Sequence, residues 1–83
     1  MPKVEWTKNA IEDLEKLDTP IVKRILNKIS WFSQNFENIT PEPLSGDLVG
    51  TFKIRIGDWR IIYTFESGVI VIQAIGHRKE VYR

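Results

Sequence analysis

The C-terminal segment IGHRKEVYR concentrates side chains that can transfer protons and bind anions. Its last seven residues contain the single histidine of the chain, three cations and a tyrosine, namely His77, Arg78, Lys79, Arg83 and Tyr82. Imidazole has the ordinary pKa best suited to moving protons near neutral pH, and guanidinium groups bind phosphate through paired hydrogen bonds. Chain ends are often frayed and dispensable, so the elements before this segment must explain why it carries such residues.

A second set of cations lies on two predicted strands joined by a tight turn. TFKIRI alternates apolar and polar residues, Gly57-Asp58 suits a type II′ turn, and WRIIYTFE follows. A two-residue turn fixes the pairing of its strands. The predicted pairs are Ile56 with Trp59, Arg55 with Arg60, Ile54 with Ile61, Lys53 with Ile62, and Phe52 with Tyr63. Paired residues point to the same side of a sheet, so Lys53, Arg55 and Arg60 share one face and the aromatic residues face the helices.

This clustering of three cations has two interpretations. Like charges directly opposite each other destabilise a sheet, and an anion such as a phosphate relieves the repulsion because arginine binds it bidentately. Alternatively, the face is open to solvent and the long side chains extend into water, as is ordinary for antiparallel sheets. The residues alone leave both interpretations open.

The third strand of the predicted meander, VIVIQAI, follows a Ser67-Gly68 turn. Extending the regular register from that turn places Gln73 beside Ile62 and Ile75 beside Arg60. Strict alternation then puts His77 on the cationic side and Arg78 on the helix side, where a lone arginine is implausible. Either Gly76 forms a bulge that redirects the residues after it, or His77 is the residue of the site.

The remaining segments predict the order β-αα-βββ in one domain spanning residues 1–83. A first strand covers Lys3–Trp6, Thr7 caps a helix, and Asp18-Thr19-Pro20 ends it and begins a second helix that runs to about Phe36. The predicted apolar face of the second helix consists of Val22, Ile25, Leu26, Ile29, Phe32 and Phe36. Trp31 lies on the opposite side, and residues 37–50 read as a loop. The predicted fold is α+β with two layers, a helical hairpin on one face of a small antiparallel sheet.

Composition narrows the functional classes. The chain has 83 residues, is 42% hydrophobic and contains no cysteine, so it suits a single core without disulfides or thiolate metal sites. The N-terminus has no apolar signal-peptide region and no segment reaches membrane-spanning length, which favours a cytoplasmic protein. The net charge of +1 divides into −2 for residues 1–47 and +3 for residues 48–83. The cations therefore gather on the strands.

The segment PLSGDLVGTFKIRIGDWRIIYTFESGVIVIQAIGHRKEVY resembles the RelE/ParE toxin superfamily, on its RelE side. The similar features are a leucine and glycine before the basic strand, a Gly-Asp-aromatic-Arg turn, and a closing Gly-His-Arg…Val-Tyr. The resemblance implies a toxin of a type II toxin–antitoxin module. Such toxins are ribonucleases without metal or cofactor that cut messenger RNA in the ribosomal A site. They are neutralised by a cognate RelB-like antitoxin, through which a toxin–antitoxin hetero-oligomer can bind operator DNA.

The resemblance also implies roles for individual residues. Lys53 and Arg55 match the basic pair of the second strand, Arg60 the phosphate-binding arginine after the turn, Arg78 the arginine near the end, and Tyr82 the C-terminal tyrosine. Cleavage by the ribose 2′-OH needs a base, cations for the phosphorane and an acid. Lys53 and His77 both remain candidates for the base.

Three other functions remain open. A ParE-like toxin would inhibit DNA gyrase without nuclease chemistry, although the set Lys53, Arg55, Arg60, Arg78 and Tyr82 favours the RelE branch. An inactive relative would serve only as an antitoxin-bound subunit. An unrelated small RNA-binding domain would need stacking aromatics on the open sheet face, and the predicted register directs them inward. Trp31, off the core face of its helix, is either a partner surface or is covered by the 37–50 loop.

Overall fold

The computed structural model describes residues 1–44 and 50–78. The strands are β1 (Lys3–Trp6), β2 (Glu42–Pro43), β3 (Thr51–Ile56), β4 (Trp59–Glu66) and β5 (Val69–His77), and the helices are α1 (Lys8–Glu15) and α2 (Thr19–Gln34), followed by a 3-10 turn at Phe36–Asn38. The strands form one sheet in the order β1-β5-β4-β3-β2. In the described residues, no helix is long and apolar enough to cross a membrane.

Both helices begin where the sequence predicts. The Thr7 hydroxyl accepts a hydrogen bond from the backbone N–H of Ala10 at 3.0 Å, which satisfies one of the donors left free at a helix start. Asp18 is the N-cap residue of α2, and a proline occupies the first turn, where its missing N–H costs nothing. The helical hairpin is therefore specified by local residues.

The core lies between the helices and one face of the sheet. Its buried members are Ala10, Ile25, Ile29, Phe32, Ile54, Ile61, Tyr63, Ile70, Ile72 and Ile75. The prediction for Leu26 was wrong, since this side chain is 43% exposed. Ile25, Ile29 and Phe32 follow the spacing of one helix face. Leu26 lies beside that line and borders a groove next to the N-terminal strand.

The two-layer α+β architecture is confirmed, but the sheet is mixed rather than antiparallel throughout. Strand β1 runs parallel to β5, with Lys3 opposite Val69 and Trp6 opposite Ile72. The segment predicted as a loop also contains β2, whose two residues pair with Lys53 and Phe52 of β3. A strand this short gives no alternation, so only its pairing reveals it.

The β3–β4 hairpin has the predicted register throughout. Arg55 lies opposite Arg60, Lys53 opposite Ile62 and Ile56 opposite Trp59. Gly57 has φ of +56°, the positive angle that the first position of a type II′ turn requires. The prediction that the cations share one face and the aromatic residues the other is thereby confirmed.

The β4–β5 hairpin departs from the predicted register after four pairs. Tyr63 lies opposite Ile72, as expected, but Ile62 lies opposite Ala74 because the register shifts between Ile62 and Tyr63. Gln73 is therefore the additional residue of a β-bulge. The suggested bulge at Gly76 was therefore wrong. The predicted pairing of Ile75 with Arg60 was also wrong, since Ile75 pairs with Ile61 and Gly76 pairs with Arg60.

Side chains of α1 hold this bulge. The Gln73 carbonyl accepts hydrogen bonds from Thr7 Oγ1 at 3.2 Å and from Asn9 Nδ2 at 3.0 Å. The Asp13 carboxylate accepts the backbone N–H of Ile75 at 2.9 Å. A bulge removes backbone groups from the ladder, and buried backbone groups need partners. Asn9 and Asp13 of α1 and its N-cap residue Thr7 supply them, so the helix and its cap set the register of the end of β5.

Candidate functional site: the cationic face of the sheet

Lys53, Arg55 and Arg60 form the cationic face, on the side of the sheet away from the helices. Glu42 of β2 lies among them. Its Oε2 is 2.8 Å from Arg55 Nη2 and 3.5 Å from Lys53 Nζ. The Lys53 side chain is only 14% exposed, so it does not extend into water as the solvated-face interpretation requires. A carboxylate in the middle of the cationic cluster is part of the site.

Glu42 was missed by the sequence interpretation. It lies between two prolines in the segment read as a loop, and its proximity to Lys53 follows from a two-residue strand pairing. The one available signal was the charge itself, a carboxylate nine residues before the strand that carries two cations.

Arg60 is fixed by the turn that precedes it. Its Nη1 donates to the carbonyl oxygens of Gly57 and Trp59, each at 2.9 Å. Its Nε is buried and has no hydrogen-bond partner among the described residues. Arg55 and Arg60 are directly opposite, yet Arg55 is paired with Glu42 and Arg60 with backbone carbonyls. These contacts offset the repulsion and hold both guanidinium groups on one face.

The bulge at Gln73 determines which of the C-terminal residues reaches the cationic face. Gly76 pairs with Arg60 and therefore lies on that face. Alternation brings Arg78 to the same side. The Arg78 backbone N–H donates to the Asp58 carbonyl at 2.7 Å, and its Nε lies 3.7 Å from Asp58 Oδ1. Arg78 therefore joins the β3–β4 turn, close to the start of Arg60's strand.

His77 is directed the other way. It pairs with Trp59, and the two rings meet edge to face with centroids 5.7 Å apart. Trp59 belongs to the face that packs towards the helices, so the expectation that strict alternation brings His77 to the cationic face was wrong. Lys79, Tyr82 and Arg83 lie outside the described residues, and the role of Tyr82 stays a prediction.

Trp31 lies at the edge of the site. Its side chain is 50% exposed, and Lys28 Nζ is 4.5 Å from the centre of its ring. A cavity of about 190 Å³ separates it from the cationic face. Ile39 and Thr40 of the loop line the same cavity, so the loop borders Trp31 without covering it.

Other chemically capable groups lie away from this face. The Tyr63 hydroxyl is in the core, where desolvation by burial raises its pKa from 10.0 to about 12, so it remains protonated at neutral pH. Within residues 1–44 and 50–78 no group of three or more His, Cys, Asp or Glu side chains is placed to hold a metal ion. The described site thus consists of four cations with two carboxylates, Glu42 beside Lys53 and Arg55 and Asp58 beside Arg78.

Comparison with known proteins identifies the family of the chain. The family model for the ParE toxin of type II toxin–antitoxin systems (parDE) matches residues 4–82. Toxin RelG of Mycobacterium tuberculosis is 34% identical over 88 residues, covering 96% of this chain and 94% of that protein.

Solved structures show the same fold. The RelBE2 toxin–antitoxin complex from Mycobacterium tuberculosis has a chain with a TM-score of 0.80 and 29% identity, covering 94% of this chain and 100% of that one. The isolated Escherichia coli RelE toxin has a TM-score of 0.78 at 19% identity, covering 99% and 92%, a likeness of fold alone. The resemblance read from the sequence is confirmed, and the chain belongs to the RelE/ParE superfamily of type II toxin–antitoxin toxins.

Proposed function

We propose that this toxin is a ribosome-dependent, metal-independent endoribonuclease that cuts messenger RNA in the ribosomal A site and thereby inhibits translation. The observation that carries the proposal is the cationic face itself, with Lys53 and Arg55 beside the Glu42 carboxylate and Arg60 opposite Arg55. Cations gathered at fixed positions suit a phosphate whose charge increases during reaction, because preorganised donors stabilise developing charge without reorganising.

In this reaction the ribose 2′-oxygen attacks the adjacent phosphorus and the bond to the 5′-oxygen breaks, which gives a 2′,3′-cyclic phosphate and a 5′-hydroxyl that takes its proton from water. Arg60 is the principal phosphate ligand, since the turn carbonyls hold its guanidinium in place. Arg78 supports it from the end of β5. Tyr82 is proposed to stack on the nucleotide, as the resemblance implies.

Glu42 is the best candidate for the group that takes the 2′-OH proton. Lys53 Nζ lies 3.5 Å from this carboxylate, so the ammonium group is placed to pair with Glu42 and orient it. His77 packs against Trp59 on the other side of the sheet. A carboxylate can accept a proton directly, and Lys53 and Arg55 then serve as charge-stabilising and orienting groups.

The proposed partners are the ribosome with its messenger and a RelB-like antitoxin. Relatives of similar structure are described in complexes with RelB, among them the RelB–RelE complex of Methanococcus jannaschii, 25% identical with a TM-score of 0.73. An acidic antitoxin segment would neutralise the cationic face by occupying it. The hetero-oligomer would bind operator DNA through the antitoxin.

The test is primer extension on a messenger engaged by translating ribosomes in a cell-free system. Wild-type protein is expected to produce new ends within A-site codons. Arg60→Ala should reduce the cleavage rate by about 10²-fold or more, the scale for losing a charge-stabilising group, and Arg78→Ala should also reduce it strongly. Lys8→Ala, which removes an exposed cation on α1, is the matched control and should cut normally.

A gyrase-inhibiting activity is the second candidate, because the matching family model is that of ParE. If wild-type protein stops growth while the messenger stays intact, the nuclease proposal fails, and DNA gyrase supercoiling becomes the assay. An intact messenger with no effect on growth would instead identify an inactive, antitoxin-bound relative.

A further inference from the structure

The cavity beside the cationic face has one aromatic wall and a charged rim. It is lined by Lys28, Trp31, Phe32, Ile39, Thr40, Glu42, Lys53, Ile54 and Arg55. Phe32 and Ile54 are buried members of the core and form its apolar floor. Trp31 forms one side of the cavity and is half exposed. Three of the lining side chains are cations and one is a carboxylate, and that carboxylate, Glu42, is already paired with two of them.

The positive charge continues from the sheet onto α2. Arg24, Lys28 and Trp31 are spaced i, i+4, i+7 and so lie along one side of the helix. Arg24 Nη2 is 3.3 Å from the point that a Cβ on Gly57 would occupy, so this side of α2 reaches the β3–β4 turn that holds Arg60. The cavity therefore joins Lys28 and Trp31 of α2 to Lys53 and Arg55 of the cationic face.

We propose that this cavity binds one unpaired nucleobase of the RNA, stacked on Trp31, with the phosphate of that nucleotide on Lys28 and Arg55. The inference rests on the proposed function, since it places the nucleotide next to the one whose phosphate reacts on the cationic face. Aromatic side chains beside a positively charged groove are the arrangement that holds single-stranded nucleic acid.

The contact between Lys28 and Trp31 is compatible with this role. A cation over an exposed ring is a weaker contact than a base stacked on that ring. When a nucleotide enters, Lys28 exchanges the ring for a phosphate and the base takes its place.

The first experiment measures binding directly and does not depend on cleavage. A short single-stranded RNA carries 2-aminopurine next to a 2′-deoxy nucleotide that cannot react, and stacking of the analogue is followed by its fluorescence. Wild-type protein is expected to quench the signal. Trp31→Ala should weaken binding about tenfold, the lower part of the range for one stacked base, and should abolish the quenching. Trp31→Phe should restore most of both.

A salt series tests the phosphate contact. Lys28→Ala should lower the slope of log K against log salt by about 0.7, the value for one phosphate contact in a single strand. Lys23→Ala, an exposed cation on another side of α2, is the matched control and should leave the slope unchanged. Thermal unfolding of each variant establishes that the fold is intact.

The outcomes separate this inference from the proposed function. If Trp31→Ala binds and quenches as the wild type does, while Arg60→Ala still prevents cleavage of ribosome-bound messenger, the cavity proposal is overturned and the nuclease stands. If Trp31→Ala weakens only antitoxin binding, the surface belongs to a protein partner and the proposal is again wrong. If the wild-type protein quenches the analogue through Trp31 but leaves ribosome-bound messenger intact, the cavity proposal is supported and the nuclease proposal is rejected.

Discussion

The two hairpins that share β4 differ in how their register is set. The β3–β4 hairpin keeps the register of its Gly57-Asp58 turn along its whole length. The β4–β5 hairpin keeps that of Ser67-Gly68 for four pairs and then slips by one residue at Gln73. A turn determines pairing only until a residue leaves the ladder. Beyond that point, contacts from another element decide which side chains reach each face.

The two hairpins also make different contributions to the site. The first carries Lys53, Arg55 and Arg60 by alternation alone. The second contributes Arg78 to the same face only because the bulge reverses the orientation of the residues after it. Side chains of α1 stabilise that bulge, so one half of the site depends on local sequence and the other on tertiary contacts.

The largest expected effect lies beside the first hairpin, at Glu42 of β2, which pairs with β3. Glu42→Gln keeps the shape of the side chain but removes its charge, so it cannot accept the 2′-OH proton. The single-turnover rate of messenger cleavage should fall by about 10²-fold or more. Affinity for non-cleavable RNA should stay equal or rise, because a negative charge leaves the cationic face. A variant that cuts at the wild-type rate would exclude Glu42 as the base.

Loss of a bulge contact should reduce stability. Asp13→Ala leaves the Ile75 N–H without its acceptor, at a cost of about 2 kcal/mol in the free energy of unfolding. Denaturant titration measures the change, and hydrogen exchange at the Ile75 amide should accelerate. Glu12→Ala, an exposed neighbour on α1, is the control. Equal midpoints for the two variants would show that α1 does not set the end of β5.

Tyr63 lies in both hairpins and should limit stability at high pH. Burial raises the pKa of its hydroxyl to about 12, against an ordinary 10.0. The stability that depends on the protonated hydroxyl is therefore complete below pH 10 and is lost as the pH rises towards 12. Tyr63→Phe should remove this loss. At pH 7, Tyr63→Phe should also raise the free energy of unfolding by about 1 kcal/mol, because the buried hydroxyl that it removes has no hydrogen-bond partner among the described residues.

Denaturant midpoints of the wild type and Tyr63→Phe at pH 7 and pH 11 check both statements. If the wild type loses no more stability than the variant between these pH values, the buried hydroxyl is not the cause.

The smallest expected effect is at the second turn. Ser67 has φ of +52°, a conformation that asparagine adopts more readily than serine. Ser67→Asn should raise the free energy of unfolding by about 0.5 kcal/mol without changing the register beyond Gln73. Gly57→Ala in the first turn should act in the opposite direction, because alanine is strained at φ of +56°. Thermal midpoints of the two variants give the comparison.

Local residues predicted most of the fold. Thr7 and Pro20 fixed the helix starts, and Gly57-Asp58 fixed the first hairpin together with its cationic face. The features that local pattern did not reveal depend on distant partners. The parallel pairing of β1, the short strand that contains Glu42 and the bulge at Gln73 all require knowledge of which segments meet in space. For this reason Lys53, Arg55 and Arg60 were placed correctly, whereas Glu42 was missed and the choice between His77 and Arg78 stayed open.

The parallel pairing of β1 with β5 has a consequence for the order of synthesis. β1 is the first strand made, and its partner in the sheet is the last. At roughly 5–20 residues per second, several seconds pass between the synthesis of β1 and that of β5. During this time β1 has no partner strand, and Arg78 has not yet been added to the chain. A toxin built in this way cannot bring Arg78 to the β3–β4 turn on a growing chain before residues 69–77 have left the exit tunnel. Its own translation therefore runs to that point before a finished toxin can act.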